Sequence, residues 1–90
     1  MNTYRLQITT PSGVMFDGEA VQLSVRAIDG DCAILAGHIP FATALKNGEC
    51  RVYLQDGTVR KANCAGGLLS VGRDKTSLLS ADFKWSEEEK

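Results

Sequence analysis

Apolar and polar residues alternate in three runs of this chain, Tyr4-Arg5-Leu6-Gln7-Ile8, Val21-Gln22-Leu23-Ser24-Val25-Arg26 and Cys50-Arg51-Val52-Tyr53-Leu54. A period of two is the signature of a strand with one buried face, because successive side chains point to opposite sides of a sheet. Turn-forming groups punctuate the runs: Pro11-Ser12-Gly13, Asp17-Gly18, Asp29-Gly30, Asn47-Gly48, Asp56-Gly57 and Gly72-Arg73-Asp74-Lys75. Strands recurring about every 8 to 12 residues predict an all-β sandwich or barrel. Ninety residues allow one core and no second, since a chain of this size buries only about 60% of its unfolded surface.

Two hairpins are explicit. Asp56-Gly57, between Val52-Tyr53-Leu54-Gln55 and Thr58-Val59-Arg60, predicts a tight type I′ turn, with Val52 and Leu54 inward and Arg51 and Tyr53 outward. The Gly72 turn is expected to join Leu68–Val71 to Thr76–Leu79. A helical signal occurs only at the end, where Ser86-Glu87-Glu88-Glu89 has the form of a capping box. One residue beyond it cannot sustain a helix, so a frayed or short helical tail is expected.

Charge narrows the function. Ten Lys and Arg against eleven Asp and Glu give a formal net charge of -1, and Arg60-Lys61 is the only adjacent basic pair. Neither a nucleic-acid groove nor a polybasic membrane anchor is visible. No apolar run approaches the roughly 20 residues that cross a bilayer and no leader is recognisable, so a soluble intracellular chain is expected, with no direct membrane insertion. Three widely spaced cysteines, Cys32, Cys50 and Cys64, do not make a disulfide framework and are read as free thiols.

Catalytic and cofactor chemistry finds little support. A Cys–His pair would need His38, the one histidine, beside Cys32, six residues away with no recognised spacing. A zinc site would need two ligands close in sequence, as in C-x2-C, and there are none. Gly66-Gly67 lacks the partners of a phosphate loop and reads instead as a bulge or a close approach of backbones. No catalytic residue, metal or cofactor is therefore assigned. Most acidic residues fall in turns; Asp29 and Asp31, flanking Gly30 ahead of Ile34-Leu35, form an acidic tip.

Three blocks, in order, carry a resemblance. They are Thr10-Pro11-Ser12-Gly13-Val14-Met15-Phe16-Asp17-Gly18-Glu19, then the stretch from Gly30-Asp31-Cys32-Ala33-Ile34-Leu35 through Gly37-His38-Ile39-Pro40-Phe41 to Lys46, then Gly66-Gly67-Leu68-Leu69-Ser70-Val71. Together they resemble the epsilon subunit of F-type ATP synthases, from about Tyr4 to Asp82. The resemblance implies a flattened β-sandwich of about ten short strands over residues 1–82, followed by a short acidic tail over 83–90. It further implies a non-catalytic central-stalk rotor subunit that links the gamma subunit to the membrane c-ring and supports coupling of ion translocation to ATP synthesis. Such a subunit lies at the cytoplasmic face of the plasma membrane.

Carried over by position, Asp29, Gly30, Asp31 and Cys32 match the tip that meets the c-ring loops, which carry a basic residue in the family. Thr10, His38, Pro40 and Thr43 fall where such proteins approach gamma, and Phe41, Met15 and Ile39 are candidates for an apolar contact. The chain departs from the family at Cys32-Ala33, where Phe-Gly or Leu-Gly is common, and at Ala36, where Pro is common. An Ala in place of Gly implies that negative φ suffices there. The two C-terminal helices that inhibit hydrolysis in the family have no counterpart in these residues, so a short form without that inhibition is expected. The competing readings are a carbohydrate- or ligand-binding sandwich, which would show a row of exposed aromatics, and a small hydrolase.

Overall fold

The computed structural model describes residues 2–37 and 39–86, and among them every regular element is a strand. In chain order these are β1 (Tyr4–Thr10), β2 (Gly13–Ala20), β3 (Gln22–Ala27), β4 (Gly30–Leu35), β5 (Phe41–Tyr53), β6 (Val59–Val71), β7 (Lys75–Leu79) and β8 (Phe83–Trp85). They hydrogen-bond in the order β2-β1-β7-β6-β5-β3-β4, with β8 added on β6. All neighbours are antiparallel except β1 and β7.

The resemblance implies about ten strands and there are eight among the described residues, because β5 and β6 are 13 residues each and serve twice. Val71–Leu68 of β6 pairs with β7, whereas Ala62–Cys64 of the same strand pairs with β8. The division falls at Gly66 and Gly67, which take φ of +85° and +142°. Here the two backbones do approach closely: a Cβ on Gly67 would land on the carbonyl of Leu79. On β5 the pairing with β3 slips between Ser24↔Arg51 and Ala27↔Leu45. One layer is thus β2, β1, β7 and the 68–71 and 41–45 halves of the long strands; the other is β4, β3, their 50–53 and 59–64 halves, and β8.

The layers meet over Leu6, Ile8, Leu23, Ile34, Val52, Leu69 and Leu78, all buried. Every strand supplies alternate residues to this core, which is what the period-two pattern dictates. Two side chains bind across the layers at the ends. The Tyr4 hydroxyl donates to the Ile34 carbonyl (2.8 Å), and the Trp85 indole N–H donates to the Met15 carbonyl (3.2 Å). Burial raises the Tyr4 phenol pKa, so it stays a donor.

The Cys50–Cys64 hairpin forms in the expected register, with Val52 buried and Leu54 packed against the core, but its turn differs. Leu54 O accepts the Gly57 amide (3.1 Å) and Leu54 N–H donates to Thr58 O (2.9 Å), making a three-residue loop. Asp56 keeps negative φ, where its carboxylate accepts the Thr58 amide (2.8 Å), so only Gly57 turns left-handed and a type I′ turn does not arise. The Leu68–Val71 hairpin with Thr76–Leu79 is as expected.

Residues 83–85, assigned from sequence to the tail, are strand β8. Phe83 is buried and Trp85 packs edge-on to Phe83 (5.1 Å) and Phe16 (6.3 Å), under Arg60 at 3.9 Å. The Glu87–Glu89 part of the capping box lies outside the described residues.

Candidate functional site

The acidic tip is the hairpin between β3 and β4. Ala27 pairs with Gly30 and leaves Ile28-Asp29 as a two-residue loop; Gly30 to Cys32 then run along β4. The Asp31 side chain is 83% exposed, with Arg26 Nε 3.5 Å away. Cys32 is half-buried against the core, and burial raises its thiol pKa. Ala33 sits in regular strand opposite Ser24, and no non-glycine residue among those described has positive φ, so this position needs no glycine.

Pairing of β3 with β5 brings Thr43 to this tip. Asp29, Gly30, Asp31 and Cys32 line one open pocket of about 300 Å³ with Phe41, Ala42 and Thr43. Pro40 is exposed just before Phe41. Thr10 stands apart, at the end of β1 and three strands from Thr43 in the sheet order, its hydroxyl accepting the Ser12 amide (3.1 Å). His38 lies outside the described residues, so neither the Cys32–His38 pairing set aside above nor its expected contact role is placed. Of the apolar candidates, Ile39 is 79% exposed, whereas Met15 and Phe41 pack partly against the core.

The sequence reading missed a larger apolar feature. Val14, Thr9, Leu79, Leu68 and Ala44 are successive partners across β2, β1, β7, β6 and β5, so their side chains share one outer face. Val14, Leu79 and Leu68 are 58%, 53% and 49% exposed. Four strand spacings make this row about 19 Å long. It ends near Ile28 of the acidic tip, whose amide donates to the Ala44 carbonyl (3.1 Å). The available signal was Leu68-Leu69 and Leu78-Leu79: two adjacent leucines in a strand must face opposite ways. Leu69 and Leu78 are core, and register sets the outward pair Leu68 and Leu79 side by side.

Chemistry at the thiols is unfavourable. Burial pushes the Cys50 thiol up to about 12, with Cys64 and Glu49 nearby adding to the shift, so it is not an available nucleophile. Among the described residues no three His, Cys, Asp or Glu gather as metal ligands, and no helix is long and apolar enough to cross a membrane. Tyr4, Phe16, Phe41 and Trp85 pack against the core and Phe83 is within it, so they form no exposed aromatic row of the kind a sugar-binding face presents.

Fold and surface together define an all-β sandwich whose distinctive outer features are an acidic tip and an exposed apolar row. Comparison gives the family: the ATP synthase Delta/Epsilon chain beta-sandwich domain matches residues 3–86, and the chain belongs to that family. It is 36% identical over 88 residues to the ATP synthase epsilon chain of Caldicellulosiruptor saccharolyticus, covering 98% of this chain and 64% of that protein. It is 40% identical over 87 residues to the ATP synthase epsilon chain of Bacillus velezensis, covering 97% and 65%. The chain therefore spans slightly under two thirds of the length of these relatives. A chain in the Euglena gracilis mitochondrial ATP synthase structure shares the fold, with a TM-score of 0.87 at 18% identity over 92% of this chain and 53% of that one.

Proposed function

We propose that these 90 residues act as a central-stalk connector of an F-type ATP synthase, docking on gamma through the apolar row and meeting the c-ring through the acidic tip. The observation that carries the reading is the row itself: Leu79 and Leu68 adjoin, Val14 follows across Thr9, and all three stand about half exposed or more, as on a surface shaped for a protein partner. Its continuation into Ile28 and Asp29 places the acidic tip beside it, so one body can touch two partners. Family membership supports gamma and the c-ring as those partners, and it supports a position at the cytoplasmic face of the membrane, outside the bilayer. The role is mechanical. A close-packed sandwich closed at both ends by Tyr4 and Trp85 transmits torque between its interfaces without deforming.

Purified gamma and the c-ring, offered separately to this chain as bait, test the reading. Gamma is expected to bind wild type and the Asp31→Lys variant, and to be lost from Leu68→Glu; ring retention is expected to fail in Asp31→Lys. Gamma binding that survives Leu68→Glu together with Leu79→Glu would remove the row from the interface. Added to an F1 depleted of epsilon, the chain is expected to restore coupling without suppressing ATP hydrolysis.

A further inference from the structure

The apolar row contains a single hydrogen-bonding side chain. Thr9 stands between Val14 of β2 and Leu79 of β7, with Leu68 of β6 beyond. Its neighbour Ile8 is wholly buried, so Thr9 faces outward. The register skips Met15 between Ile8↔Phe16 and Thr9↔Val14, and this bulge sets Val14 beside Thr9. The Thr9 carbonyl accepts the Ser80 amide (3.0 Å), and the buried Ser80 hydroxyl in turn donates to the Gly66 carbonyl (2.6 Å). A β-branched side chain on a backbone held in this way has little freedom left.

Two adjacent threonines differ in what their hydroxyls already bind. Thr10 Oγ1 accepts the Ser12 amide (3.1 Å) and donates to the Gly13 carbonyl (3.4 Å), so its capacity is used within its own turn. Thr9 Oγ1 makes no hydrogen bond to any described residue. Nor is it sealed away: Thr9 is only half-buried, and its hydroxyl is solvated in the free chain. A protein that covers Val14, Leu79 and Leu68 strips that water. A hydroxyl desolvated with nothing in exchange costs on the order of tenfold in affinity, whereas one that meets a partner group gains.

We infer that Thr9 is the specificity-determining position of this face: the docked partner sets a hydrogen-bonding group against the Thr9 hydroxyl, with apolar groups on one side for Val14 and on the other for Leu79 and Leu68. The inference rests on the reading of the row as the gamma-docking face, and it adds the chemistry that gamma brings there. The leucines supply adhesion to any apolar surface. The hydroxyl between them rejects a surface that is apolar throughout, because that surface leaves a polar group buried and unpaired.

The test is calorimetric titration of purified gamma with wild type, Thr9→Val, Thr9→Ala and Thr9→Ser, each accompanied by a thermal melt. Val keeps the branched shape, suits a strand and removes the hydroxyl, so its melt is expected to stay within about 2 °C of wild type. Thr9→Val and Thr9→Ala should each weaken gamma by about tenfold, and Thr9→Ser, which keeps the hydroxyl, by less than about threefold. The sign is decisive, because against an apolar partner the loss of the hydroxyl would tighten binding. Unchanged or tighter binding by Thr9→Val, with Leu68→Glu still abolishing it, would overturn the inference and leave the row as the gamma face. An equal loss in Thr9→Ser and Thr9→Val would assign the effect to side-chain shape and also overturn it. Gamma binding that survives Leu68→Glu together with Leu79→Glu would remove the docking reading and the inference with it. Sedimentation supplies the last outcome: self-association of wild type that gamma does not displace, and that Thr9→Val abolishes, would give the hydroxyl to a second copy of the chain and overturn the assignment to gamma.

Discussion

The two outer faces of this sandwich are built by the same alternation and end in opposite chemistry. On the β2-β1-β7 layer the outward positions include Val14, Leu68 and Leu79; on the β4-β3-β5 layer they include Arg26, Asp31, Glu49 and Arg51. Stability does not require the leucines, since Leu69 and Leu78 already fill the core behind them. An apolar row exposed to water is the kind of surface a protein partner covers, whereas a charged face is content with solvent. One body therefore presents an apolar outer row and a charged outer face, back to back across a single core.

The largest way to break the comparison is to break the corner that creates it. Gly67→Ala sets a methyl against the Leu79 carbonyl at a left-handed φ and is expected to destabilise the fold by about 3 kcal/mol or more. Chemical denaturation checks this; a loss under about 1 kcal/mol would mean that the corner relaxes freely. Next is the apolar row, where Leu68→Glu should cost about 2 kcal/mol of gamma binding, roughly thirtyfold in Kd, while changing stability by less than about 1 kcal/mol. Calorimetric titration alongside a thermal melt separates the two. A protein that melts early would show that Leu68 holds the fold, and the faces would then differ less than their exposure indicates.

Smaller effects test how the layers respond to pH. The buried Cys50 thiol, raised to about 12 in the fold from an ordinary value near 9.0, contributes stability that is whole below about pH 9 and declines as pH rises toward 12. Stability should fall by about 1 kcal/mol between pH 8 and pH 10, and Cys50→Val should flatten that limb. An unchanged slope in the variant would assign the alkaline loss elsewhere. The smallest effect is at Asp17, exposed on the layer that carries the row, where its hydrogen bond from Arg5 (2.7 Å) lowers the carboxyl pKa. That contribution is present above the unfolded carboxyl pKa and is lost as pH falls through the folded one. Asp17→Asn should leave neutral stability nearly unchanged and soften only the acid limb of the unfolding profile.

Much of the fold was legible because its signals are local. Alternation in Tyr4–Ile8 and Cys50–Leu54 marked strands, and Asp29-Gly30 marked the turn that becomes the acidic tip. The type of the Asp56-Gly57 turn was not legible, because Asp56 bonds Thr58 and needs only one left-handed residue after it. The membership of Phe83–Trp85 in the sandwich was missed for another reason: three residues show no usable period, and their place comes from β6 and the Arg60–Trp85 stack. Within the site, the sequence singled out Asp29 and Thr43 separately, and β3–β5 pairing put them around one pocket.

The sequence by itself determined that this chain is all β, where most of its turns lie, and which family it resembles, because each of these is written in neighbouring residues. Tertiary structure decided which outward residues become neighbours. Leu68 and Leu79 stand eleven positions apart and Val14 is far from both, yet hydrogen-bond register sets them on one row. The bend at Gly66-Gly67 likewise lets two strands belong to both layers, so that one alternating pattern leaves an apolar row on one side and a charged face on the other. Register and bending are long-range properties, fixed by the best common burial of all strands at once, and no local stretch of sequence contains them.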